Sequence, residues 1–276
     1  MLASRGARLL VFDSGIGGLS VLAEINRQLP SAEVTYVADD AAFPYGAWDG
    51  AALTAHIDRL MADLIATVSP DVVVIACNTA STLVLPTLRA RHSLPFVGTV
   101  PAIKPAAKVT KSGLISVLAT PGTVERDYTH ALIDRFAADV EVTLVGSPRL
   151  AEIAERHLRG TPVGGAEIAA EIAPCFVETG ARRTDAVVLG CTHYPFLLPH
   201  FRRLALWPVT WIDPAPAIAR RVAAVLPASG VPSKLCDGPG GDAALVSGKV
   251  IFTSGHAPPP ALARLLERFG LAPAAL

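Results

Sequence analysis

The sequence predicts an α/β protein of two similar lobes, each with a mainly parallel sheet flanked by helices. Strand-like and helix-like stretches alternate along most of the chain, which is the pattern of parallel sheets. Residues 72–75 form an unbroken β-branched run typical of a strand buried on both faces, and a helix-start signature follows at Asn78 and Thr79. The same arrangement returns where residues 187–189 lead through Gly190 into Cys191. Two related βαβ units therefore indicate two lobes.

The first unit is predicted from hydrophobic periodicity and from the positions of turn residues. Pro30 ends its first helix, because proline cannot continue one. The expected order is a strand at 8–12, a glycine turn at 13–18, a helix at 19–29, a strand at 33–40, a turn-rich loop at 41–46, a helix at about 50–68, the strand from 72, a helix at 80–92 and a short strand at 95–98.

The second unit repeats this order. We expect a strand, a Pro-Gly turn and a helix in 112–133, a strand and a helix in 140–158, a helix at about 166–179, the strand from 186, and a short strand and helix in 209–226. A tail rich in proline and glycine, 232–260, contains one predicted strand at 249–253, and a last helix is predicted at 261–269.

Composition restricts the class of protein. The 276 residues allow one large domain or two of ordinary size, and 51% hydrophobic against 17% charged residues indicates a well-buried globular fold. The 24 basic residues balance the 24 acidic ones, so the chain lacks the overall positive charge typical of nucleic-acid-binding proteins, and only a local basic patch would remain for such a partner. We therefore expect no nucleic-acid partner.

The N-terminal segment and the cysteines bear on cellular location. The first apolar run, residues 9–12, is too short for a signal-peptide core or a membrane span. The four cysteines are scattered and contain no C-x-x-C pair, which does not resemble a disulfide framework. We therefore expect a cytoplasmic protein with reduced thiols and no membrane partner. Cys175 and Cys236 lack a polar setting and are interpreted as structural.

Cys77 and Cys191 are the candidate reactive residues. Each follows a strand, at the edge where open α/β sheets bind ligands. A thiol at a helix N-terminus is expected to have a stabilised thiolate, although cysteine is also a common buried residue. One thiol on each wall of a cleft between the lobes would place an acid and a base on opposite faces of a substrate, which can invert a stereocentre without a cofactor. We therefore predict the active site in that cleft.

Other polar turn residues allow two interpretations each. Asp13 either accepts a proton at the sheet edge or caps the following helix. His193 either assists Cys191 or is structural. The loop F-P-Y-G offers the hydroxyl of Tyr45 and backbone N–H groups to a carboxylate, but Pro44 and Gly46 could equally be turn formers.

Three cofactor-dependent alternatives fit less well. The turn D-S-G-I-G-G imitates a dinucleotide-binding fingerprint, but Ser20 stands where the third small residue belongs and Asp13 would repel a pyrophosphate. A catalytic zinc site could use Cys77, Cys191 and His193, which are ligands of acceptable type, but we favour it less than the cofactor-free interpretation. None of the five lysines has a recognisable pyridoxal setting. We therefore expect no cofactor and no metal.

The ordered motifs resemble the cofactor-independent aspartate/glutamate racemase superfamily. They are F-D-S-G-I-G-G-L-S-V-L, D-x-A-x-F-P-Y-G, A-C-N-T-A-S-T, A-T-P-G-T-V and G-C-T-H-Y-P, and the resemblance extends from Phe12 to the helix after Asp213. Most of these motifs are individually weak, but their order is specific. The C-T-H-Y-P and F-P-Y-G turns favour glutamate over aspartate.

The resemblance implies residue roles. Cys77 and Cys191 would be the catalytic thiols, with Asp13 and His193 as assisting groups that also contact substrate. The remaining implied substrate contacts are Ser14, Tyr45, Gly46, Asn78, Thr79, Thr120, Thr123 and Thr192. It also implies a homodimer, and a chain that crosses back so that residues 1–99 and about 214–276 form lobe 1 and residues 100–213 form lobe 2.

Overall fold

A computed structural model describes residues 6–226 and 248–275, which form two α/β lobes. The described residues of the first lobe contain a six-stranded sheet whose neighbouring strands are all parallel. Its strands are β1 Arg8–Asp13, β2 Glu33–Ala38, β3 Val72–Ile75, β4 Phe96–Gly98, β11 Gly248–Phe252 and β12 Leu271–Pro273. Their order across the sheet is β12-β11-β2-β1-β3-β4, so strands from both ends of the chain share one sheet.

The second lobe contains a four-stranded parallel sheet in the order β10-β9-β5-β6, again counting described residues. Its strands are β5 Leu114–Ala119, β6 Glu141–Gly146, β9 Ala186–Gly190 and β10 Thr210–Ile212. A small antiparallel hairpin pairs β7 Glu178–Thr179 with β8 Arg182–Arg183.

Helices flank both sheets. They are α1 Leu19–Gln28, α2 Gly50–Val68, α3 Asn78–Arg91, α4 Ile103–Val109, α5 Pro121–Val124, α6 Asp127–Phe136, α7 Leu150–Leu158, α8 Gly165–Ile172, α9 Leu198–Leu204, α10 Ala215–Val225 and α11 Pro260–Arg268. Short 3₁₀ helices cover Tyr45–Ala47, Ala173–Cys175 and Tyr194–Leu197. In the part of the chain that the structure describes, no helix has the length and apolarity needed to span a bilayer.

Both faces of the first sheet are buried, which explains the unbroken apolar runs in its strands. Successive side chains of a strand point to opposite faces. Leu9 and Val11 pack in the core beneath α1 and α10, whereas Leu10 and Phe12 pack beneath α2 and α3. Each such buried side chain contributes roughly 1.5–3 kcal/mol to the free energy of unfolding. The predicted two-lobe α/β fold with mainly parallel sheets is confirmed.

Several predicted boundaries were wrong. The helix expected at 166–179 ends at Ile172, because Pro174 lacks the N–H that would continue it, and Glu178 begins the hairpin. The strand expected at 33–40 ends at Ala38. Helices α4 and α9 and strand β12 were not predicted, because each is short and lacks a clear period. Cys236 and residues 232–247 of the predicted tail lie outside the described residues. The lobe boundaries stay a prediction.

Candidate active site

The candidate site residues lie at the carboxyl ends of strands from both lobes. Asp13 is the last residue of β1, and Cys77 follows β3. Thr120 follows β5, and Cys191 follows β9. Because neighbouring strands in each sheet are parallel, these ends lie on one edge of that sheet.

Cys77 is buried at the start of α3, where it occupies the N-cap position. Its thiol donates a long hydrogen bond of 3.8 Å to the hydroxyl of Ser14. Burial raises the pKa of the Cys77 thiol well above its usual value, and the charge of Asp13 raises it further. The expectation that the helix N-terminus would leave a stabilised thiolate here was wrong, since the hydrogen bond from the Ala80 N–H lowers the pKa by less than burial raises it.

Asp13 is fully buried and binds the glycine turn that follows it. Its Oδ2 atom accepts a hydrogen bond of 2.6 Å from the N–H of Gly18, the N-cap residue of α1. Its Oδ1 atom has no partner among the described residues. Burial raises the pKa of the Asp13 carboxyl. The turn therefore binds its own carboxylate through a backbone N–H group.

Cys191 has a different set of neighbours. Its Sγ atom lies 3.7 Å from Nδ1 of His193, and Nε2 of His193 lies 3.0 Å from Oε1 of Glu155. The second oxygen of Glu155 accepts a hydrogen bond of 3.0 Å from Arg159. A buried chain of thiol, imidazole and carboxylate thus runs from the site into α7. No α-helix starts at Cys191, contrary to the match drawn with Cys77; a turn and a 3₁₀ helix follow it instead.

The electrostatics of this chain favour an ion pair between His193 and Glu155. Burial alone would lower the pKa of His193, but its hydrogen bonds to Cys191 and Glu155 outweigh burial and raise the pKa well above its usual value. Burial alone would raise the pKa of Glu155, but the hydrogen bond and charge of His193 outweigh it, so this pKa is lowered. An imidazolium beside a thiol stabilises the thiolate.

Glu155 was missed by the sequence analysis. The signal that was available is its place on an apolar stripe of α7, with the buried Ala151 four residues before it and the partly buried Leu158 three residues after it. A carboxylate is almost never buried without a partner, so a glutamate on an apolar helix face indicates a specific contact.

The glycine turn of the first lobe packs against this chain in the second lobe. The N–H of Ile16 donates a hydrogen bond of 2.7 Å to Glu155. A Cβ atom added to Gly17 would lie 2.3 Å from Nδ1 of His193, so only glycine fits there. The ring of Phe43 lies 5.7 Å from the His193 ring. The glycines of this turn therefore allow close packing between the lobes.

Three threonine hydroxyls from two lobes converge near Cys77. Thr79 Oγ1 lies 2.9 Å from Thr120 Oγ1 and 3.3 Å from Thr123 Oγ1, and the last two lie 3.0 Å apart. Asn78, next to Thr79 in the chain, is buried, and its Nδ2 donor has no partner among the described residues. Thr192 and Ser14 are also buried. These groups can donate several hydrogen bonds to a carboxylate.

Tyr45 is placed differently from the expectation. Its hydroxyl donates a hydrogen bond of 2.5 Å to Asp39, which also contacts His56 at 2.6 Å and accepts from Thr253 at 2.7 Å. Burial and the charge of Asp39 raise the pKa of Tyr45. Because the one proton of the hydroxyl is engaged, what this loop can still offer a ligand is the backbone N–H groups of Tyr45 and Gly46.

The sequence offers Cys77, Cys191 and His193 as candidate zinc ligands. Among residues 6–226 and 248–275, no three His, Cys, Asp or Glu side chains form a cluster that could hold a metal ion.

Comparisons with known proteins agree with the motifs. Residues 11–222 match the family described as Asp/Glu/hydantoin racemase. The chain is 53% identical over 264 residues to the glutamate racemase of Brucella ovis, covering 95% of this chain and 92% of that protein. It is 59% identical over 219 residues to the glutamate racemase of Brucella anthropi, covering 79% of each.

Solved structures with the same fold include two glutamate racemases. One is the Escherichia coli protein in complex with L-glutamate and the activator UDP-MurNAc-Ala, with 36% identity, a TM-score of 0.85 and coverage of 98% of this chain and 97% of that one. The other is an isoform from Bacillus anthracis, with 26% identity, a TM-score of 0.78 and coverage of 99% and 98%. Because the family match spans both strand-end thiols and most of the fold, the chain belongs to the Asp/Glu/hydantoin racemase family.

Proposed function

We propose that this protein is a glutamate racemase that interconverts L-glutamate and D-glutamate without a cofactor and supplies D-glutamate for peptidoglycan. The observation that carries the proposal is the pair of thiols, Cys77 and Cys191, each buried at the carboxyl end of a strand in a different lobe and each beside a different polar group. Two opposed proton-transfer groups are what inversion at a carbon atom requires. The 53% identity to a curated glutamate racemase supports the choice of substrate.

In the proposed reaction, one thiolate removes the α-proton and the opposite thiol returns a proton. By family resemblance, Cys77 takes the proton from D-glutamate, and Cys191 takes it from L-glutamate. Burial and the charge of Asp13 raise the pKa of Cys77 and so favour its neutral thiol, and the raised pKa of His193 favours an imidazolium beside Cys191. In the conversion of L-glutamate, the α-proton passes to the thiolate of Cys191, the carbanion takes the proton of Cys77, and Cys77 is left as the thiolate.

The assisting groups have separate tasks in this proposal. Asp13, with an unpartnered oxygen beside Cys77, attracts the α-ammonium group of the substrate. His193, fixed by Glu155, stabilises charge on Cys191. The substrate carboxylates bind the hydroxyls and amides of the remaining substrate contacts implied by the family, which are Ser14, Asn78, Thr79, Thr120, Thr123 and Thr192, together with backbone N–H groups of Tyr45 and Gly46.

The second candidate is an aspartate racemase, since both reactions use paired thiols and differ in the depth of the pocket. To decide, the purified protein is dialysed against chelator and incubated separately with L-glutamate and L-aspartate while optical rotation is followed. We expect decay of the L-glutamate signal to zero and little change with L-aspartate. Turnover of L-aspartate alone would establish the second candidate, and activity that needs added metal or pyridoxal phosphate would contradict the cofactor-independent mechanism.

The proposal extends to assembly and location. We propose a homodimer, tested by light scattering on the eluate of a sizing column, where a monomer mass at assay concentration would contradict it. We also propose a cytoplasmic location, because thiols that act as bases need a reducing compartment. Lobe 1 is proposed to comprise residues 1–99 and about 214–276, and lobe 2 residues 100–213.

A further inference from the structure

The backbone after Cys191 contains a gap in its hydrogen bonding. The N–H of Tyr194 donates to the carbonyl of Cys191 at 3.1 Å, and the N–H of Phe196 donates to the carbonyl of His193 at 3.2 Å. The bond between them, from residue 195 to the carbonyl of Thr192, cannot form because residue 195 is proline and has no N–H. The motif C-T-H-Y-P therefore leaves one buried carbonyl without its local donor.

Ser20 of the opposite lobe supplies that donor. Its hydroxyl lies 2.8 Å from the Thr192 carbonyl oxygen, across 172 residues of sequence. Among the described residues, no other hydrogen bond to the Thr192 carbonyl is observed. The hydroxyl has one proton and also lies 2.9 Å from the carbonyl of Gly17. Because the Gly17 carbonyl already accepts the backbone N–H of Ser20 at 3.0 Å, we assign the hydroxyl proton to the Thr192 carbonyl. The contact with Thr192 is thus the one that nothing else in this part of the chain replaces.

The same segment of the first lobe makes the neighbouring contacts with the second. Ile16 donates to Glu155, and Gly17 packs against His193. Ser20 extends this contact to the backbone between Cys191 and His193. A bond to that backbone acts on the thiol and the imidazole together.

Resting on the proposed racemisation, we infer that Ser20 is a positioning residue, whose hydroxyl fixes the turn bearing Cys191 against the first lobe. Ser20 does not touch the reacting atoms. It sets the position from which Cys191 transfers a proton, while the position of Cys77 depends on β3 and α3 of its own lobe. Loss of the hydroxyl should therefore impair proton transfer at Cys191 selectively.

The test uses four variants of the full chain. In Ser20→Ala we expect kcat to fall about tenfold or more, since small misplacements of reacting groups have effects of that size. Ser116→Ala is the matched control, because Ser116 is also a buried serine whose hydroxyl donates to a backbone carbonyl, that of Cys175, at 2.7 Å. Pro195→Ala restores an N–H at position 195. The double variant Ser20→Ala/Pro195→Ala should recover most of the lost activity.

Isotope effects identify the affected thiol. The values of kcat/KM in the two directions must change together, because the equilibrium constant of a racemisation is fixed by symmetry. If proton transfer at Cys191 becomes slower, the α-deuterium kinetic isotope effect on kcat/KM should rise for L-glutamate, because Cys191 breaks the C–H bond of that enantiomer. For D-glutamate, whose C–H bond Cys77 breaks, the same isotope effect should fall towards unity. A loss of folded protein would leave both isotope effects unchanged.

A readout that does not depend on racemisation completes the test. Peptide-resolved alkylation by iodoacetamide should change in rate at Cys191 and not at Cys77 in Ser20→Ala, and at neither thiol in Ser116→Ala. The inference is overturned if Ser20→Ala and Ser116→Ala behave alike, if the isotope effects do not diverge, or if the double variant Ser20→Ala/Pro195→Ala is no more active than Ser20→Ala. A wild-type protein that fails to racemise glutamate contradicts the proposed function instead, and the alkylation result then still decides the role of Ser20.

Discussion

At the scale of single residues, the two thiols differ in their surroundings. Cys77 lies beside a hydroxyl and a buried carboxylate, whereas Cys191 lies beside an imidazole that is paired with Glu155. A nearby anion favours the neutral thiol, and a nearby cation favours the thiolate. The asymmetry gives each thiol a predicted task in the proposed reaction.

Replacing Asp13 by asparagine tests the electrostatic part of this account. After burial, the charge of Asp13 is the main cause of the raised pKa of Cys77. Asn cannot ionise, so the pKa of Cys77 should fall, and alkylation of Cys77 should begin at lower pH. The pH profile of alkylation at Cys77 measures this, with Asp185→Asn as a control that removes a carboxylate bound to the distant loop at Thr110. A profile moved to higher pH would show that Asp13 activates the thiol.

Replacing each thiol by serine tests the division of labour. A substrate analogue that loses a leaving group after α-deprotonation needs only the abstracting thiol. In Cys77→Ser, the rate of elimination from the L form should be kept, and the rate from the D form should fall by a factor of about 10²–10⁴, the usual rate contribution of a general base. Cys191→Ser should show the reverse. Release of the leaving group is the measurement. Equal losses from both enantiomers would contradict separate bases.

Replacing Tyr45 by phenylalanine tests whether its hydroxyl binds the substrate or has a structural role. It donates to Asp39, so Tyr45→Phe should leave the KM for glutamate within about threefold of wild type while lowering the free energy of unfolding by about 1–3 kcal/mol, the cost of a lost bond to a charged group. Urea unfolding and initial-rate kinetics measure the two quantities. A KM raised tenfold or more, with unchanged stability, would instead mean that the hydroxyl binds the substrate.

At the scale of elements, the glycine turn between β1 and α1 joins the lobes. It binds Asp13 through Gly18, donates to Glu155 through Ile16 and packs on His193 at Gly17. The turn resembles a phosphate-binding loop in sequence because both need glycines where a side chain would block close approach. Here the group that approaches is an imidazole of the other lobe.

Adding one methyl group at this turn should displace His193. A Cβ atom at Gly17 would lie 2.3 Å from Nδ1 of His193, so Gly17→Ala should lower kcat about a hundredfold, in line with misplaced catalytic groups. Gly165→Ala is the control, because its Cβ would meet only Leu204 at an ordinary 3.7 Å. We expect that variant to keep full activity. Initial rates with L-glutamate measure the difference between the two variants. A fully active Gly17→Ala would show that the position of the His193 imidazole is unimportant.

At the scale of the whole molecule, the C-terminal segment completes the first sheet. Strand β11 pairs with β2, and Thr253 and Ser254 bind the carboxylates of Asp39 and Asp40, which lie 214 residues earlier. Asp39 in turn holds Tyr45. A segment without any motif thus supports the loop that is proposed to bind substrate.

Truncation after residue 247 tests this dependence. The deletion removes core residues that include Val250, Leu262, Leu266 and Leu271 and exposes the edge of β2. We expect an insoluble product, because truncating even one buried leucine costs about 2–5 kcal/mol, a large share of the 5–15 kcal/mol of a typical domain. Soluble yield and circular dichroism measure the outcome. A folded, active product would mean that residues 1–247 are sufficient.

The sequence by itself determined the alternation of strands and helices and the two thiols at strand ends, and it predicted Asp13 and His193 as assisting residues. These features are local, since periodicity, helix starts and turn residues act over a few positions. Only the tertiary structure decided that Glu155 pairs with His193, that Ser20 reaches Thr192, that Tyr45 binds Asp39 and that burial raises the pKa of Cys77. The physical reason is that hydrogen-bond partners and desolvation depend on segments brought together from distant parts of the chain, and no local pattern records them.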